Sequence, residues 1–186
     1  MLIDCHTHAA RTRTVPRNGG SASPTGEQLV GRLDDLGIDM AVVLCLISPE
    51  CRHRYAPPED IVEICAAYPD RLIPFCNVDP RAGSNSPTTD FRRFFDVYTN
   101  MGCKGIGEMT CNLDFDDPLC WNLFRYVADY GLPMTIHIAN QRGGQYGFYD
   151  DLCLPRLERT LREFPDLVIL GHSQPFWSEI SADVTE

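Results

Sequence analysis

Residues 117–137 read Asp117-Pro118-Leu119-Cys120-Trp121-Asn122-Leu123-Phe124-Arg125-Tyr126-Val127-Ala128-Asp129-Tyr130-Gly131-Leu132-Pro133-Met134-Thr135-Ile136-His137. Asp117 supplies a cap, Pro118 suits a first helical position, and Leu119, Leu123, Phe124 and Val127 share one face at helical spacing before Gly131 stops the run. The apolar segment from Pro133 then has strand character and ends on a histidine. A helix leading into a short apolar strand is part of a βα repeat, and the pattern recurs. Thr25 opens a helix with Leu29, Leu33 and Leu36 on one face and Gly37 as its stop, and Leu154, Leu157, Leu161 and Phe164 form another, ended by Pro165. Pro57-Pro58 leads into Ile61, Val62, Ile64 and Cys65, and Asp90 leads into Phe91, Phe94, Phe95, Val97 and Tyr98, of which the three phenylalanines are assigned to the core. Apolar runs predict strands near residues 2–8, 39–47, 72–78, 103–108, 133–138 and 167–172.

Six strands separated by five helices define an α/β protein with parallel strands. Their starts lie about 33 residues apart, the repeat expected of a ~250-residue (β/α)8 barrel. The chain of 186 residues accommodates only about six βα units, so the expectation is a TIM-barrel-type fold in one domain, 1–186, read as a fragment. No Gly-x-Gly-x-x-Gly turn supports a dinucleotide-binding sheet. Strands one and six would be open edges, which predicts aggregation or a homo-oligomer. The loop-like stretch Arg11–Pro24 is expected to be the first βα loop, mobile and near the active face, and Ser181–Glu186 to lack a packed terminal element.

The formal net charge is −10, which argues against a phosphate-tracking surface and moves small molecules ahead of nucleic acid as partners. No apolar run approaches the ~20 residues of a membrane span, and a signal peptide's basic start and long apolar stretch are missing, so a cytoplasmic location is expected. The nine cysteines include no C-x-x-C pair, which favours reduced, mostly buried thiols over a disulfide framework or zinc ribbon.

Four of the five histidines fall at strand ends: His6 and His8 on the first, His137 on the fifth, His172 on the sixth. Residues two apart in a strand face the same side, so Asp4-Cys5-His6-Thr7-His8 aims two imidazoles into one space. A barrel gathers its strand ends around one mouth, bringing His137 and His172 to the same place, and Glu108 ends the fourth strand there. Any one histidine could simply satisfy a local hydrogen bond; the set, in phase with the barrel repeat, favours a metal site. Imidazoles with a carboxylate suit Zn2+, with Fe2+ or Mn2+ as alternatives. His53, between Arg52 and Arg54 in a polar loop, is off any strand and suits solvent or substrate better than metal. Asn77 and Asp79 lie at the mouth, Asp79-Pro80 reading as a turn. Gln141, Arg142 and Tyr146 follow His137, and Gln174, Phe176 and Trp177 follow His172, in βα-loop positions where a barrel keeps its specificity. Arg142 is the candidate for a substrate carboxylate, with Trp177 as a second substrate-side residue.

Ile3-Asp4-Cys5-His6-Thr7-His8, Gly105-Ile106-Gly107-Glu108, Gly131–His137 and Leu167-Val168-Ile169-Leu170-Gly171-His172 together resemble the amidohydrolase superfamily, in its amidohydrolase-related branch of metal-dependent hydrolases and decarboxylases. The resemblance implies that His6, His8 and His137 bind a divalent metal, one or two ions in all. It implies that His172 binds a second metal or polarises substrate and water, and, in some branches, that Glu108 is a ligand. The family's eighth-strand aspartate has no counterpart in the six units read here, which leaves His172 as the local base. Three activities are compatible: hydrolysis of a small carboxylate, amide, ester or lactone; non-oxidative decarboxylation of an unsaturated or aromatic acid; or a non-catalytic relic. Lacking that aspartate, the chain is expected to turn over at least about a hundredfold more slowly than a form extended by two units.

Overall fold

The structure, a computed structural model, describes residues 1–12, 14–16, 20, 22–139, 141–144 and 146–180, with only the backbone of residues 52 and 53. Helix α1 (Gly26–Leu36) starts where Thr25 forms a capping box with Gln28, each side chain accepting from the other's backbone N–H, and stops at Gly37, whose φ of 68° is left-handed. Helix α4 (Pro118–Asp129) follows the sequence expectation equally closely: the Asp117 carboxylate accepts from Leu119 N at 2.8 Å, and Pro118 holds the first helical position. Helices α2 (Pro58–Ala66), α3 (Arg92–Asn100) and α5 (Pro155–Glu163) fill the remaining connections.

Strands β1 (Ile3–Thr7), β2 (Met40–Val43) and β3 (Leu72–Pro74) pair in parallel, as do β4 (Ile106–Met109), β5 (Met134–His137) and β6 (Ile169–His172). A parallel bridge between Cys76 and Ile106 joins the two sets, so the strands run in chain order with helices between them: a (β/α)8-type arrangement with six βα units. Alternation sorts side chains between its two sides. Val42 and Leu44 meet Phe75, Ile73 and Leu170 on one side of the sheet. Ala41, Val43 and Cys45 face the other way, onto Leu29 and Leu33 of α1 and Ile61, Ile64 and Cys65 of α2. A larger cluster packs Ile106, Met109, Met134 and Ile136 against Phe95, Leu123, Phe124, Val127 and Leu157 of α3, α4 and α5.

The differences from expectation have local causes. β3 stops at Pro74 instead of continuing to residue 78, because Phe75 N turns to Val43 O and Cys76 N to Gly105 O, carrying the chain from one neighbour to the next. Leu36 and Leu161, at the ends of their apolar faces, stay exposed. The polar segment containing His53 is a 3-10 helix, Pro49–Arg54, not a loop. Gln174, Phe176 and Trp177 are not loop residues either: they lie on α6 (Gln174–Ile180), started by Pro175 near its N-terminus, with Trp177 N bonded to Ser173 O. All nine cysteines are unpaired; Cys5 and Cys153 are exposed and the other seven buried. The expectations for Arg11–Pro24 and Ser181–Glu186 fall partly and wholly, respectively, outside the described residues. Among the described residues no helix is long and apolar enough to cross a membrane.

Candidate metal centre

The centre is organised around Glu108, whose side chain is only 3% exposed. Its backbone is held from two directions: Glu108 N donates to Cys45 O at 2.9 Å, and Asn77 Nδ2 donates to Glu108 O at 2.7 Å. The preceding residue must be glycine, since Gly107 has φ +139° and a Cβ there would stand 2.7 Å from Thr135 O.

The strand ends deliver four imidazoles to this one carboxylate. His8 Nε2 is 3.1 Å and His6 Nε2 3.8 Å from Oε2, whereas His137 Nδ1 is 2.7 Å and His172 Nε2 3.8 Å from Oε1. Two triads result, His6–His8–Glu108 and Glu108–His137–His172, each with ligand atoms mutually within 4.8 Å. The rings of His6 and His172 stack at 3.7 Å between centroids, which brings the first and sixth strand ends face to face. Ser173 Oγ bonds both the N–H and the carbonyl of Ile138, pinning the end of β6 to β5. Gly147 lies flat against His137: a Cβ at residue 147 would come within 2.9 Å of the ring.

Burial lowers the pKa of His6 to about 3, against the opposing pull of Glu108, and that of His172 more mildly for the same reason. Burial works to raise the pKa of Glu108, but hydrogen bonds from His137 and His8 outweigh it and hold the carboxyl well below the usual range. At neutral pH the cluster therefore presents an ionised carboxylate beside at least two neutral imidazoles. His8 Nδ1 lies 3.3 Å from the carbonyl of Leu44, which can only accept, so in that bond Nδ1 is the donor and Nε2 is the ring atom turned to Glu108. Nε2 lies 3.1 Å from Oε2, where it donates to the carboxylate when protonated and offers its lone pair when a divalent cation takes the proton's place. His6 Nδ1 is buried without a partner among the described residues. These residues fit a divalent cation.

All five sequence-chosen ligand candidates thus converge. The substrate-side candidates do not. Arg142, half exposed, is paired with Asp114 and lies over the ring of Tyr149; Trp177, 59% exposed, packs edge-on to Phe176. Asn77 and Asp79 are buried and serve the scaffold: Asp79 accepts from the backbone and guanidinium of Arg81, and the Asp79-Pro80 turn is closed by Ala82 N to Asp79 O. Of two further neighbours of the centre, Tyr146 belongs to the loop group expected after His137, whereas Arg54 carries no distinguishing signal in the sequence. Arg54 is 6% exposed with its guanidinium 5.2 Å from the centroid of Tyr146, and the Tyr146 ring is 4.5 Å from that of His137.

Parallel βα units with a histidine and carboxylate cluster at the strand ends define a barrel-type protein with a polar centre at its C-terminal face. The amidohydrolase family model matches residues 3–185, and the chain belongs to that family. No curated protein matches it. Among solved structures it resembles a 2,6-dihydroxybenzoate decarboxylase from Rhizobium (16% identity, TM-score 0.63, covering 92% of this chain and 66% of that one). An uncharacterised TIM-barrel protein from Bordetella bronchiseptica is similar at 16% identity and TM-score 0.62, covering 91% and 66%. A 5-carboxyvanillate decarboxylase from Sphingomonas paucimobilis is similar at 17%, with TM-score 0.59 and the same two coverages. The chain thus spans 66% of the length of these three structures, and at such identities the likeness concerns the fold.

Proposed function

We propose that His6, His8, Glu108, His137 and His172 hold one or two divalent ions, zinc first with manganese or iron as alternatives, and that this single barrel domain is a metal-dependent hydrolase acting on a small carboxylate, amide, ester or lactone. The observation that carries it is the convergence of four imidazoles on the one buried carboxylate of Glu108, in two triads whose ligand atoms lie within 4.8 Å of one another. A bound divalent ion would supply an acidified water and a polarised substrate carbonyl. With the ion held by His6, His8, Glu108 and His137 alone, His172 is the base: its side chain is the most open of the five at 37% exposure and burial favours its neutral form. His6, stacked on it, fixes the ring plane. At the rim, Trp177 offers an exposed indole, and Arg142 would exchange Asp114 for a substrate carboxylate.

Decarboxylation of a small acid is the second reading, favoured by the buried cation of Arg54 near the histidines; two of the similar structures are decarboxylases. Elemental analysis of protein purified without added metal tests the centre. Zn, Mn or Fe near stoichiometry is expected, lost in the double variant His6→Ala with His8→Ala; unchanged metal in that variant ends the proposal. Replacing His172 by Gln should cost about 10²–10⁴ in turnover. Assaying CO2 release against hydrolysis over a panel of small acids, amides and lactones separates the two reactions.

A further inference from the structure

We infer that the guanidinium of Arg54 is a receptor for a carboxylate group of the substrate, gripping it at the end remote from the reacting centre. The placement of the reacting end rests on the proposed function; the receptor itself rests on Arg54. Its side chain comes off the end of the 3-10 helix that follows β2, is more than nine-tenths buried, and has a buried Nε without a hydrogen-bond partner among the described residues. Burying a guanidinium without a counter-ion costs several kcal/mol, so a protein that keeps one has a use for its charge. Nearby carboxylates are committed elsewhere. Glu50, on the same 3-10 helix, has both oxygens 3.0 Å from Arg81, and Glu108 is surrounded by the four histidines. Arg81 and Arg156, both more exposed than Arg54, each have carboxylate partners.

The geometry also says how the anion would sit. The Arg54 guanidinium carbon lies over the Tyr146 ring at a distance suited to a cation–π contact, and a guanidinium backed by a ring on one side still has edge N–H groups to offer an oxygen pair, the bidentate arrangement that guanidinium gives and an ammonium cannot. Tyr146 meets His137 with the same ring, so it is a common wall between receptor and histidines. The guanidinium is therefore no farther from the His137 ring than the two ring spacings laid end to end. A rigid aromatic acid, or a short diacid, spans that interval, with its carboxylate on Arg54 and its reacting group at the histidines.

Isophthalate, with isophthalamide as the neutral control, probes this by calorimetric titration of the full chain with and without added Mn2+. The wild type should bind isophthalate and not isophthalamide, and Arg54→Met should weaken isophthalate binding at least tenfold, with Arg54→Lys in between. Ligand-free Arg54→Met should melt at the same temperature as wild type or higher, because a buried charge without a partner has been removed; an arginine anchoring the fold would give the opposite. No isophthalate binding by the wild type, equal binding by Arg54→Met, or a lowered melting temperature in that variant would each overturn the receptor. Acetohydroxamate, which needs only the metal, separates the two ideas. If it fails to bind with Mn2+ present while isophthalate still depends on Arg54, the metal reading falls and the receptor stands; if it binds equally to wild type and Arg54→Met while isophthalate ignores the substitution, the receptor falls and the metal reading stands.

Discussion

Two residues of the centre make opposite demands on the side chain, one needing a charge and the other needing nothing at all. Replacing Glu108 by Gln keeps its shape and its place between the histidines but puts a neutral amide where both triads share an anion. Zn2+ affinity measured by competition with a chelator should fall at least about a hundredfold, beyond the 10–100-fold typical of losing only an orienting partner. Gly147→Ala adds a single methyl 2.7 Å from Ala139 N and 2.9 Å from His137 Cδ2, at a φ of +115° that L residues rarely adopt. It should displace His137 and weaken metal binding by about 10–100-fold, with a loss of stability of about 1–3 kcal/mol. Equal metal affinity in Gly147→Ala would show that the ring is not held by that contact.

Among elements, the loops after β2 and β3 are tied together by one arginine. Arg81 reaches Asp79 on its own loop and both oxygens of Glu50 on the 3-10 helix that also carries Arg54. Burial tends to raise the pKa of both carboxyls, but the Arg81 hydrogen bonds prevail and both end below their ordinary values. Groups depressed in the folded state contribute stability that is present above their unfolded pKa and lost as pH falls through the folded value. Arg81→Gln should therefore cost about 2–3 kcal/mol at pH 7, less than a fully buried pair because Arg81 is partly exposed. The gap to wild type should close as the pH drops below the carboxylate range, and the acid-unfolding midpoint of the variant should lie at higher pH. Urea melts at neutral and acid pH decide it: a constant gap would mean that charge plays no part.

For the whole molecule, the repeat was legible because each βα unit writes its own signals. Thr25 and Gly37, or Asp117, Pro118 and Gly131, mark a helix without reference to anything distant. The ligand cluster was legible for a related reason, since a two-residue strand period and a barrel's shared mouth convert His6, His8, Glu108, His137 and His172 into neighbours. What escaped was pairing between loops. Arg52-His53-Arg54 has the composition of a solvated segment, and the burial of Arg54 depends on where Tyr146, 92 positions later, lays its ring. Arg81 with Glu50 is the same kind of case, and Arg142 is its mirror image: its loop position suits a substrate carboxylate, yet it lies beside Asp114. β3 is shorter than its apolar run over 72–78 predicts because its edge changes partners at Phe75 and Cys76, a switch made by backbone groups that every sequence carries.

The hydrogen bonds that Cys45 makes with β4, from its N–H to Gly107 O and to its carbonyl from Glu108 N, join segments more than 60 residues apart, whereas most strand pairs link consecutive units. Closing the longer loop costs extra chain entropy and brings its reward only after the intervening strands are in place. The mouth should thus assemble last and open first. Asn77→Ala, which removes the side-chain donor to Glu108 O, should lower stability by about 1–2 kcal/mol. That loss should appear almost wholly as faster unfolding in stopped-flow experiments, about five- to thirtyfold, with the refolding rate nearly unchanged. A refolding rate that fell by the same factor would place the mouth in the folding nucleus instead.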